Sequence, residues 1–124
     1  CVFTGFFMYI ETSKPRKLGD YAVLQSKLFP LPKERCLQFY YHMYGDDIDT
    51  LKVIYSPDML DNNVTIWEKS QNQGNQWHLA RVNLNSYLPY WGSLYRIKFV
   101  GIRGNGYQGD IAIDDVFFTD GTCP

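Results

Sequence analysis

Hydrophobic and polar residues alternate over short stretches of this chain, and turn-forming residues separate the stretches. Eight runs have the alternation and composition of β-strands: FFMYIE, YAVLQS, CLQFYYHMY, TLKVIYS, VTIWEKS, WHLARVNL, LYRIKFVGIR and DIAIDDVFF. Between them lie segments such as GDD, SPD, NQGNQ, LPYWG and GNG, whose residues are typical of tight turns. No stretch has the pattern of a long amphipathic helix, so the sequence predicts an all-β protein.

The longer runs separate into a buried face and a partly wet face. In the third run, the side chains expected to be buried are Leu37, Phe39, Tyr41 and Met43, and those on the opposite face are Gln38, Tyr40, His42 and Tyr44. In the seventh run, Tyr95, Ile97 and Phe99 oppose Arg96 and Lys98. About eight such strands within 124 residues predict one domain, a jelly-roll-like sandwich of two antiparallel sheets.

The last run carries two adjacent carboxylates in its middle. Regular alternation from Asp110 onward places one set of side chains on one face, Ile111, Ile113, Asp115 and Phe117, and a second set on the other, Ala112, Asp114, Val116 and Phe118. A buried carboxylate without a partner is costly. Asp114 or Asp115 must therefore have partners, bind a cation, or lie at a bulge that turns it to water.

Composition excludes several partners. The chain has 12 basic and 13 acidic residues, a net charge of -1, which gives no general attraction to nucleic acid or to an anionic membrane surface. Its apolar runs are far shorter than the ~18 residues that a membrane span needs, so we expect no membrane insertion of this segment. No signal peptide is evident in the sequence given.

The cysteines and one sequon indicate a secretory environment. Cys1, Cys36 and Cys123 have no metal-binding spacing, and His42 and His78 are far from them in sequence, so a disulfide is favoured over a zinc site. The sequon Asn-Val-Thr begins at Asn63 and is glycosylated only where disulfides also persist. We therefore predict an extracellular location and a glycan on Asn63.

Several longer segments resemble one family in order and spacing. TGFFMYIETS, CLQFYYHMYG, NQGNQWHLARVNL, YRIKFVGIRGNGYQGDIAIDDVFF and the final CP look like the MAM domain, an extracellular module of meprins, neuropilins and mu-type receptor phosphatases. The resemblance implies a β-sandwich that works through protein contacts rather than catalysis. It also implies a disulfide between Cys36 and Cys123.

The start of the chain departs from the family pattern. Family members begin with a cysteine and an FE pair, followed by a second cysteine in a CGW context, whereas here Cys1 stands three residues before TG. We therefore expect residues 1–124 to be a single, N-terminally incomplete MAM domain, with the pairing of Cys1 open.

The resemblance leaves two roles open for the carboxylates of the last run. Acids in this strand either accept backbone and hydroxyl hydrogen bonds or contribute to a calcium or sodium site. Asp114 and Asp115 supply too few of the six to eight oxygens that calcium takes. The other acidic segment, GDDIDT, lacks the glycine and glutamate of a calcium-binding loop and is interpreted as a solvated hairpin turn.

No catalytic motif is present, so we predict a non-catalytic adhesion or recognition module in a larger protein. Its partner is expected to be another protein, with homophilic contact left open. A carbohydrate-binding module is the alternative, because Tyr87, Tyr90 and Trp91 are grouped in one expected loop. Their rings can stack on a sugar, anchor a protein partner, or pack beneath the sheet.

Overall fold

The computed structural model describes residues 8–11, 21–26, 34–57, 63–85, 94–103 and 110–124. Every regular element in these ranges is a β-strand, and the strands coincide with the eight predicted runs. They are β1 (Met8–Glu11), β2 (Tyr21–Gln25), β3 (Arg35–Tyr44), β4 (Ile48–Pro57), β5 (Val64–Ser70), β6 (His78–Leu84), β7 (Tyr95–Arg103) and β8 (Asp110–Asp120).

The strands form two antiparallel sheets of four strands each. The first sheet has the order β1-β8-β3-β6, and the second has the order β2-β7-β4-β5. Apart from β4 and β5, strands that follow one another among those described lie in different sheets. This back-and-forth connection is that of a double-sheet jelly roll, so the predicted fold class is confirmed.

The predicted hairpin at the acidic segment GDDIDT is wrong. Residues 45–47 do form a turn, but they connect β3 of the first sheet to β4 of the second. The reason is that β3 pairs with β8 along one edge and with β6 along the other, so no edge of β3 is free for β4. The turn therefore crosses the sandwich.

The core lies between the two sheets and is built from the inward side chains that the alternation predicts. From β3 these are Leu37, Phe39, Tyr41 and Met43, and from β7 they are Tyr95, Ile97 and Phe99. Phe39 joins the sheets, because its ring meets those of Phe99 and Trp67 edge-on, each at a centroid distance of 5.0 Å. The burial that packs these rings also raises the pKa of the Tyr41 and Tyr95 hydroxyls.

A disulfide joins the end of the chain to the first sheet. Cys36 is fully buried on β3 and is bonded to Cys123, which follows β8. The chain turns back after β8 at Gly121, whose φ is 86°, and the Cys123 amide donates to the Asn83 side-chain oxygen at 2.7 Å. Because the bond spans a separation of 87 residues, it can stabilise the fold by up to about 4 to 5 kcal/mol in the chain-entropy model.

Candidate functional site

A bulge interrupts the pairing of β8 with β3. Gln38 lies opposite Phe117 and Tyr40 lies opposite Asp114, so Phe39 alone faces the two residues Asp115 and Val116. One extra residue on one strand is the definition of a β-bulge. Asp115 has a φ of 50°, a left-handed conformation that Asp adopts more readily than most residues other than Gly.

The bulge reverses the alternation in the second half of β8, so the predicted division of this strand is wrong from Asp115 onward. Ile111, Ile113 and Val116 are in the core, and Phe118 packs against it, whereas Asp115 and Phe117 are exposed. The extra residue shifts every later side chain to the opposite face from the one that regular alternation gives. Three arrangements were open for the carboxylates: hydrogen-bonding partners, a bound cation, or a bulge that turns the side chain to water. Asp115 has the third arrangement.

The half-buried Asp114 makes a local hydrogen bond at the bulge. Its Oδ1 accepts a hydrogen bond of 2.8 Å from the Asp115 amide, a donor at the irregular step of the ladder. Within the described ranges, no three His, Cys, Asp or Glu side chains are grouped so that they could hold a metal ion. The Asp114 contact is a hydrogen bond of the kind that the first alternative describes, and a calcium role for Asp114 and Asp115 stays a hypothesis.

Large apolar side chains are exposed on the outward side of the first sheet. Five of them, each between 36% and 48% exposed, form what we call the outer face: Tyr40, Tyr44, Trp77, Leu79 and Phe117. The two other large apolar side chains found exposed in the described ranges, Val23 and Leu94, belong to β2 and to the residue before β7. Among the residues that the structure describes, the apolar exposure is therefore concentrated on one surface.

Strand register arranges the outer face in rows. Tyr40 on β3 lies between Leu79 on β6 and Asp114 on β8. The next row on β3 has Gln38 between Arg81 and Phe117. Neighbouring strands are about 4.8 Å apart and same-face residues along a strand are about 7 Å apart, so these side chains form one continuous surface.

A hydrogen-bonded loop positions Trp77 at the end of the outer face where Tyr44 lies. The loop joins β5 to β6, and the backbone N–H of Gln73 in this loop donates to the Met43 carbonyl at 2.7 Å. His42 on β3 makes a 3.0 Å hydrogen bond with the Asn75 side chain, and its ring lies 5.3 Å from the ring of Trp77. The two hydrogen bonds attach the loop to β3, and they hold the loop that carries Trp77 in place.

Two depressions share Tyr40 and Asp115 on this surface. The first, which we call the acidic pocket, has a volume of about 300 Å³ and is lined by Tyr40, Trp77, Asp114 and Asp115. The second, which we call the basin, has a volume of about 510 Å³, and its lining includes Gln38, Leu79, Arg81 and Phe117. Gln38 is nearly buried, accepts a hydrogen bond from Arg81 Nε at 3.2 Å and donates to the Thr119 hydroxyl at 3.4 Å. The basin therefore has a polar floor and apolar sides.

Asn63 and His78 do not belong to the outer face. Asn63 is exposed directly before β5, the edge strand of the second sheet. Tyr87, Tyr90 and Trp91 fall outside the described residues. The ring of His78 stacks on Tyr41 at 5.2 Å, which gives this histidine a packing role.

Sequence reasoning missed the residues that make up most of the outer face. Alternation places Tyr40 and Tyr44 on the wetter face of β3, but it does not identify them as candidates for binding. Two tyrosines at outward positions of one strand were the signal available. Phe117 carried no such signal, because its exposure depends on the bulge.

The chain matches known proteins along its length. The family described as "MAM domain, meprin/A5/mu" matches residues 1–124. The MAM domain-containing glycosylphosphatidylinositol anchor protein 1 of Homo sapiens is 44% identical over 124 residues, which cover 97% of this chain and 12% of that protein. Anchor protein 2 of Homo sapiens is 40% identical over 131 residues, which cover 96% and 13%. The chain thus spans about an eighth of the length of these relatives.

Solved structures share the fold at low sequence identity. The K1 adhesin domain of Lys-gingipain from Porphyromonas gingivalis has a TM-score of 0.62 at 17% identity, covering 91% of this chain and 73% of that one. The carbohydrate-binding module TmCBM61, solved with β-1,4-galactotriose, has a TM-score of 0.53 at 15% identity, covering 93% and 82%. Among the residues described in this chain, no helix has the length and apolar character to cross a membrane.

Substitution of Asp115 tests the bulge. We expect Asp115→Val to lower the free energy of unfolding by about 1 to 3 kcal/mol, because a β-branched residue is strained at a positive φ. Asp115→Gly removes the same carboxylate but adopts this φ without strain, so it should keep nearly the stability of the wild type. Denaturant unfolding of both variants measures the difference, and equal losses would contradict the positive φ.

Proposed function

The chain belongs to the MAM domain family, and from this premise we propose that it is a non-catalytic extracellular recognition module that binds a protein partner through the outer face. Residues 1–124 then act as one domain of a larger adhesion or receptor protein. The family match supports the class of module. The relatives, whose names describe anchored proteins, support an ectodomain location.

The concentration of exposed rings on the outer face is the observation that carries this proposal. Tyr40, Tyr44, Trp77 and Phe117 are aromatic and are at least 36% exposed on one side of one sheet. Aromatic residues dominate the binding energy of protein interfaces, and contiguous exposed apolar patches mark such interfaces. Because β3 and β8 are central strands of the first sheet, these rings stand on a rigid support.

The sandwich also separates the proposed glycan from the proposed interface. Asn63 precedes the edge strand of the second sheet, whereas the outer face belongs to the first sheet. A glycan there would lie beside β5 on the second sheet and leave the outer face open. The Cys36–Cys123 bond further supports secretion through an oxidising compartment.

Carbohydrate binding is the second candidate function. Exposed rings beside hydrogen-bonding groups suit a sugar as well as a protein side chain, and the solved neighbour TmCBM61 holds a galactotriose. The basin supplies such groups in Gln38 and Arg81. We favour a protein partner because the exposed rings extend from Phe117 to Tyr44, well beyond either depression.

Alanine substitution on the outer face tests the proposal. Beads that carry the secreted chain should adhere to cells expressing the partner or to one another. We expect Trp77→Ala to weaken this adhesion about tenfold or more, because a partly exposed indole is a strong interface anchor. The matched control, Val23→Ala, also removes an exposed apolar side chain but lies on the second sheet, and it should adhere like the wild type.

Treating the target surface separates the two candidate functions. Adhesion that survives enzymatic removal of glycans but not protease treatment supports a protein partner. Adhesion that is lost with the glycans alone supports the carbohydrate alternative. Adhesion unchanged in Trp77→Ala and in Tyr40→Ala would contradict any function of the outer face.

We predict that Asn63 carries an N-linked glycan when the chain is secreted from eukaryotic cells. Mass spectrometry after deamidating glycosidase treatment should find aspartate at position 63, and Thr65→Ala should abolish the modification. Loss of the glycan should leave adhesion unchanged, since the two surfaces are on different sheets. An unmodified Asn63 in secreted protein would show this prediction to be wrong.

A further inference from the structure

The acidic pocket combines two aromatic rings with two carboxylates. Tyr40 comes from β3, Trp77 from the β5–β6 loop, and Asp114 and Asp115 from the bulge of β8. Its volume of about 300 Å³ is at the lower end of the range for ligand pockets, which suits one side chain better than an extended ligand. Because the rings and the acids come from three separate segments, the fold itself assembles the pocket.

Within the part of the chain that the structure describes, the carboxylates of this pocket make few contacts. Asp114 Oδ1 accepts the Asp115 amide, and within the described ranges no ion pair is found for Asp114 or Asp115. Arg81, which lines the basin together with Asp115, donates its Nε to the Gln38 side-chain oxygen. The pocket therefore presents negative charge beside two aromatic rings, and both features attract a cation.

We propose that the acidic pocket binds the guanidinium group of an arginine side chain on a protein partner. This inference rests on the proposed function and specifies the chemistry of the partner. A guanidinium is planar, so it stacks on an indole or phenol ring while its N–H groups donate to a carboxylate in a two-pronged arrangement. Trp77 and Tyr40 supply the rings, and Asp115 supplies the exposed carboxylate.

Other occupants satisfy the pocket less well. An apolar side chain would take two carboxylates out of water without a partner, which is costly. An anionic group, such as a sulfated or sialylated sugar, would be repelled by Asp114 and Asp115. A lysine ammonium is a compact, strongly hydrated charge that neither stacks nor donates in a planar fork.

The test is an NMR titration of the full ¹⁵N-labelled chain, secreted with its disulfide intact. The probe is N-acetyl-arginine amide, and the matched control is N-acetyl-citrulline amide, which has nearly the same shape and no charge. We expect saturable shifts, in the millimolar range of affinity, at the Trp77 indole N–H and the Asp114 and Asp115 amides. Citrulline should bind about tenfold or more weakly, and high salt should weaken the binding of arginine.

Two variants locate the effect. Asp115→Asn should weaken binding of the arginine probe several-fold, whereas Glu68→Gln, which removes one exposed negative charge on β5, should leave it unchanged. Both variants change the net charge equally, so a difference between them reflects the pocket. Equal affinity for arginine and citrulline, equal affinity for a lysine probe, or shifts confined to other residues would overturn the inference.

The adhesion experiment separates this inference from the proposed function. If arginine does not bind but Trp77→Ala still abolishes adhesion, the guanidinium assignment fails and the recognition surface stands. If arginine binds at Trp77 but outer-face variants adhere normally, the guanidinium site stands and the proposed function fails.

Discussion

The two-for-one pairing opposite Phe39 is the constraint on which the site depends. Phe39 is fully buried and meets Phe99 and Trp67 across the sandwich, so its position is set by both sheets. Opposite Phe39, β8 has two residues, Asp115 and Val116, where regular pairing has one. The extra residue, Asp115, is turned outward. Beyond this step Val116 is in the core and Phe117 is exposed, so the surplus residue adds to the surface without displacing the core residues that follow it.

The outer face is held at both ends by contacts that do not involve its exposed rings. At one end the Cys36–Cys123 bond fixes the turn after β8 against β3. At the other end the β5–β6 loop is hydrogen-bonded to β3 through the Met43 carbonyl and His42. A surface held in this way loses little conformational freedom on binding, which favours recognition by a preformed site.

Local alternation predicted much of this fold because most strands are regular. It identified eight strands and the inward set Leu37, Phe39, Tyr41 and Met43 of β3, and the family resemblance supplied the Cys36–Cys123 pair that the structure contains. Local alternation failed where the orientation of side chains, or the connection between strands, depends on pairing with a neighbouring strand. The phase of β8 after Asp114 is set by pairing with β3, and the crossing after Tyr44 follows from the occupied edges of β3. The acidic pocket was missed for the same reason, since only the assembled sheets bring Trp77 next to Asp114 and Asp115.

Asp115 is thus surplus to the core and belongs to the outward surface, where it lines both depressions. The most direct measurement is the free energy of unfolding of the chain with Asp115 deleted. The deletion restores one-to-one pairing and leaves Val116 and Phe118 on their present faces, so the predicted change is within about 1 kcal/mol of the wild type. A loss of about 4 kcal/mol or more, as expected if half of β8 were turned inside out, would contradict the claim.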